Sequence, residues 1–162
     1  MDYDEGDQLE WRDTYFILFQ RSGRPTLTQV EAAITDATRR VTLENLEADE
    51  DGMFESVLVQ APEDHAALEI SYETGEAVVE QSAQLAKQLR GEITTDQLKR
   101  LLRADARLDV MHFERLSADS TNDEDDWADD ALDPSSLLNV VGALAKLTGG
   151  LPIDPASGAI LA

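Results

Sequence analysis

Residues 14–20, Thr14-Tyr15-Phe16-Ile17-Leu18-Phe19-Gln20, make a nearly continuous apolar run closed by Arg21-Ser22-Gly23-Arg24-Pro25. A run this short, rich in aromatic residues and stopped by a turn cluster, reads as a strand buried on both faces, a central place in a sheet. The period then changes. Both Thr26/Gln29 and Thr28/Glu31 fit a capping box, and Leu27, Val30, Ala33, Ile34 and Ala37 fall on one helical stripe. A helix over about 27–39 follows from that spacing.

Beyond it, runs 41–48 and 53–60 flank Asp49-Glu50-Asp51-Gly52. Asp-Gly between two such runs is a hairpin signal, because glycine accepts the positive φ of the turn. Two inward faces are open for the second run: Met53, Val57 and Val59, or Phe54 and Leu58. Leu68, Ile70 and Tyr72 alternate in a fourth strand over 67–72. Residues 76–89 then return to helical spacing, with Gly91 just past the end. Thr94 caps a short third helix, and 107–116 form a closing strand with Leu108 and Val110 on one side, Met111 and Phe113 on the other. The order β-α-β-β-β-α-α-β predicts an α+β domain over 14–117, a mostly antiparallel sheet of about five strands with helices on one face.

The flanks differ in character. Residues 1–13 are acidic and read as a frayed lead-in, with Trp11 tucked against the first strand. Residues 118–133 hold eight acids, no basic residue and two large apolar side chains, Trp127 and Leu132, which marks an acidic linker. Asp133 as N-cap and Pro134 at the first position open a C-terminal helix that ends before Gly149. Its apolar residues cover more than half its circumference, so it must be buried; with the tail, 134–162 pack on the domain.

Charge sets the limits on function. Thirty-four acidic residues face thirteen basic ones, a formal net charge of −21 over 162 residues. Such a field repels phosphate backbones and anionic lipids, which excludes nucleic acid and membrane as partners. Only three of the basic residues are lysine. Scarce lysine and abundant carboxylate also suit a protein adapted to high salt, where counterions screen self-repulsion. The chain has no cysteine, which removes disulfides, thiolate metal sites and a thiol nucleophile. The acidic start and the lack of a long apolar run lead to a cytoplasmic expectation.

Reactive groups are sparse. His65 lies in a turn and reads as a solvated surface residue; His112, on the face of Val110 and Glu114, reads as a structural histidine. No EF-hand spacing, phosphate loop or soft-ligand zinc set occurs, so no cofactor or metal is expected. The basic cluster between Lys87 and Arg115 reads as the internal counter-charge of an acidic protein. In the acidic stretch, Asp125, Asp126, Trp127, Asp129 and Asp130 set an aromatic anchor among carboxylates, the composition of a recognition segment. Packing of Trp127 and Leu132 back on the domain is the competing reading.

The expected function is therefore a non-catalytic protein-interaction or regulatory module, of the chaperone or immunity kind, whose partner is a basic protein or a second copy in a dimer. Two alternatives stand beside it. One is an enzyme built on carboxylates and arginine with Mg²⁺; the other is an acidic mimic of nucleic acid.

Overall fold

A computed structural model describes residues 7–117 and 132–161. In chain order these form β1 (Asp7–Phe19), α1 (Leu27–Ala37), β2 (Thr42–Ala48), β3 (Phe54–Ala61), β4 (Ala66–Thr74), α2 (Glu76–Leu89), α3 (Thr95–Arg103), β5 (Ala106–Ser117), α4 (Ser135–Thr148), β6 (Leu151–Asp154) and β7 (Ala159–Ile160). The strands make one antiparallel sheet in the order β2-β3-β4-β5-β1-β6-β7. This is an α+β fold, as the sequence pattern implies. Seven strands replace the expected five or so, because the tail after α4 adds β6 and β7 to the far side of β1.

Local signals account for most element ends. Thr26 accepts the Gln29 N–H at 3.1 Å while the Gln29 side chain takes the Thr26 N–H at 2.9 Å, so the first of the two candidate capping boxes starts α1. Thr94 and Gln97 repeat the device for α3. Gly52 stands at φ 82° in the turn before β3. Gly149, at φ 71°, ends α4. Asp133 accepts both the N–H and the hydroxyl of Ser135, so α4 opens one residue later than expected.

The helices divide between the two faces of the sheet, a correction to the one-sided arrangement expected. Ile17 and Phe19 join Val30 and Ile34 of α1 and Leu137, Val140, Val141 and Leu144 of α4 in one core. Leu18, their neighbour on β1, points the other way and joins Leu85, Ala86 and Leu89 of α2, Leu101 of α3, and Leu151 and Ile153 of β6. Successive strand residues face opposite sides, so these are two layers on one sheet. The apolar run 14–20 is continuous for this reason, since β1 is covered on both sides.

Three bulges shape the sheet. Trp11 pairs with Phe113 and Asp13 with His112, leaving Arg12 as an extra residue in β1. In β2 the register slips between Glu44 and Glu47, where Asn45 takes φ 53°. In β3, Glu47 pairs with Ser56 but Ala48 with Phe54, so Glu55 is extra. That bulge puts Phe54 on the same side as Val57 and Val59, all buried, a set that neither simple alternation contains. β1 itself begins at Asp7, so 7–13 are strand and not lead-in.

Candidate functional site

The face carrying α1 and α4 buries Ile17, Val110 and His112, whereas among the described residues the face carrying α2 and α3 is covered by helices only at one end. There Arg107 of β5 reaches Gln81 of α2, bonds Asp109 at 2.6 Å and lies 4.2 Å over the Phe16 ring. Among the described residues no helix covers the other end of the same face. Cross-strand register places Thr14, Met111, Glu69, Leu58 and Glu44 in one row there, and Trp11, Phe113, Ala67 and Gln60 in the next. Leu9 pairs with Arg115 one step further on.

Bulges increase twist and bend the strands that carry them. In this sheet the bending brings Leu9 of β1 and Asn45 of β2, four strands away, to the wall of one hollow of about 370 Å³. Its apolar lining is Leu9, Val57, Leu58 and Phe113; Asn45, Glu47, Ser56 and Glu69 supply the polar part. Beside it Trp11 lies along its own strand, its indole N–H donating to Thr14 Oγ1 at 2.9 Å. Trp11 is 55% exposed and Leu9 43%. Arg115 crosses toward β3 and donates to Gln60 Oε1 at 2.8 Å.

Such a surface can hold a molecule by apolar contact and attract it by charge. His112 is buried on the face carrying α1 and α4, its Nδ1 3.1 Å from Asp13 Oδ1, and Asp13 Oδ2 accepts the Tyr15 hydroxyl at 3.0 Å. Among the described residues His112 Nε2 has no hydrogen-bond partner. Burial, then the bond to Asp13, pushes the Tyr15 phenol up to about 12. Burial raises the Asp109 carboxyl against the pull of Arg107. The backbone N–H of Met53 lowers Asp49. Each shift belongs to a structural pair, and none of these groups lines the hollow. Among the described residues no group of three His, Asp or Glu is placed to hold a metal ion.

Two of the other clefts among the described residues lie elsewhere. One, of about 470 Å³ at the start of α2, contains Arg21, Glu76, Glu80 and Asp105, but Arg21 is already held by Asp105 through both its guanidinium and its backbone N–H. The other, of about 240 Å³, lies beside Arg100 and Arg103, and Arg100 donates to the Gly149 carbonyl at the end of α4. Arg107 and Arg115 are likewise bonded within the fold.

Asp125, Asp126, Trp127, Asp129 and Asp130 lie outside the described residues. The residues missed by sequence reasoning are Leu9 and Trp11. Leu9-Glu10-Trp11 does alternate, but the extra Arg12 breaks the period before Thr14, which hid their continuity with β1. Met111 and Phe113 were legible as a face opposite Leu108 and Val110. Comparison of the chain with family models, curated proteins and solved structures returns no match. Among the described residues no helix is long and apolar enough to cross a membrane.

Proposed function

We propose that the protein is a non-catalytic binding module that engages another protein through the open, concave part of its sheet. The observation carrying this reading is the half-exposed pair Leu9 and Trp11 beside Phe113 and the hollow. Exposed apolar surface forgoes roughly 25 cal/mol per Å² of burial. Trp and other aromatic residues are also the side chains enriched at the energetic centre of interfaces. Leu102 and Leu138, exposed to a similar degree on α3 and α4, line none of the three clefts described.

Site-specific photo-crosslinking in the source cells tests the reading. A benzophenone side chain at position 11 or 69 is expected to form a protein adduct, and the same group at position 138 is not. Equal adducts at all three positions, or none at 11 and 69, reject the proposal. Truncating the anchor should cost little fold stability: Trp11→Ala is expected to stay within about 1 kcal/mol of the parent by urea unfolding.

A further inference from the structure

We infer that the occupant of the hollow is a cationic amphipathic helix of about 13 residues supplied by another protein, an inference that rests on the binding-module reading above. Length comes from the sheet. From β2 to β1 are four inter-strand steps of ~4.8 Å, about 19 Å, which a helix rising 1.5 Å per residue spans in ~13 residues.

Helical form follows from what the surface offers. The backbone of β3, β4 and β5 is committed to ladders on both sides, so the hollow presents side chains and leaves an extended peptide no main-chain bonds there. β2 is an edge strand, but the Asn45 bulge interrupts it, a feature that blunts edges against strand addition. At its other end the same face already takes a helix, α2, with Leu85 and Leu89 in one core with Leu18 of β1. A second helix beside it would continue that layer. Its apolar stripe, repeating at i, i+3/i+4 and i+7, would rest on Leu58, Phe113, Leu9 and Trp11.

Charge supplies the sign. Glu69 stands in the middle of the open rows, Glu47 on the wall, and Glu44 opposite Leu58, all three exposed. Lysine or arginine flanking the apolar stripe would meet them, and the overall charge of −21 would steer such a partner in. A second copy of this chain is disfavoured by the same charges, since its own Glu47 and Glu69 would face like charge.

The test uses fluorescence anisotropy of a labelled 14-residue Leu/Lys amphipathic peptide at 0.15 M salt, with Leu/Gln and Leu/Glu peptides of identical pattern. The parent chain is expected to bind the Leu/Lys peptide, and the Glu47→Gln/Glu69→Gln variant at least about tenfold more weakly, a change of ~1.4 kcal/mol. Glu76→Gln/Glu80→Gln on α2 removes equal charge and should change affinity less than about twofold. Trp11→Ala should also weaken binding by about tenfold or more. Equal losses for the two double variants would mean diffuse attraction and overturn the inference, as would a Leu/Gln peptide that binds as tightly as Leu/Lys. If Trp11→Ala weakens binding but Glu47→Gln/Glu69→Gln does not, the groove reading stands and the cationic partner falls. If neither does, the binding-module reading fails with it.

Discussion

Asp64 ties α4 to the rest of the molecule, and removing its carboxylate should loosen that attachment measurably. The residue is fully buried at the turn before β4. One of its oxygens accepts the Ser136 N–H in the first turn of α4 at 2.9 Å, the other accepts from Arg40, and its backbone carbonyl takes the Asp133 N–H at 3.0 Å. Asp64→Ala deletes two charge-assisted bonds, each worth about 1.5–3 kcal/mol, and leaves a buried N–H unpaired. Part of this is returned because a buried carboxylate no longer has to be desolvated, and because Arg40, 43% exposed, finds water. The expected net loss is about 3 kcal/mol, or roughly 6–12 °C in Tm for a chain of this size. Arg40→Ala should cost at least as much, about 3–5 kcal/mol, because it strands the buried partner of the pair. The double variant should then lie within about 1 kcal/mol of Asp64→Ala. Urea unfolding of all four proteins at fixed ionic strength closes the cycle. A loss below ~1 kcal/mol for Asp64→Ala, or a double variant equal to the sum of the singles, would refute the account.

Two further predictions concern the fold. Asp49 accepts the N–H groups of Asp51 and Met53 and faces Arg24, and its carboxyl is held below the ordinary range. A lowered native value adds stability above the unfolded one, around pH 4, and gives it up as pH falls, so Asp49→Ala should be destabilised at pH 7 with the gap narrowing in acid. A gap unchanged from pH 7 to 2 contradicts this. A Cβ on Gly23 would stand 2.7 Å from the Thr148 carbonyl oxygen, whereas one on Gly142 in α4 meets nothing within 4 Å. Gly23→Ala is therefore expected to destabilise by about 1–3 kcal/mol and Gly142→Ala to stabilise by about 0.5–1. Chemical denaturation giving both the same sign would contradict the close approach.

The open face also gives the acidity a local meaning. Glu44, Glu47 and Glu69 share a surface with half-exposed apolar groups, so attraction and apolar contact act at one place. High-salt titrations separate these contributions, since screening weakens the first and leaves the second.

Short-range physics carried most of the fold. The capping boxes at Thr26 and Thr94, the Asp49–Gly52 turn, and the stripes of α1 and α2 each depend on residues within about four positions, so the chain announces them directly. The apolar run 14–20 even implied cover on both faces of β1, against the one-sided layering read from element order. The candidate site was another matter. Its shape comes from bulges at Arg12, Asn45 and Glu55, each an extra residue that erases the alternation a strand is read by. Its openness among the described residues comes from where α2 lies on the sheet, which the packing of Leu85 and Leu89 and the Gln81–Arg107 contact set. Whether Trp11 is buried or exposed is therefore absent from its neighbours in sequence. It is a property of residues a hundred positions away, because a sheet face becomes a surface only when no other part of the chain covers it.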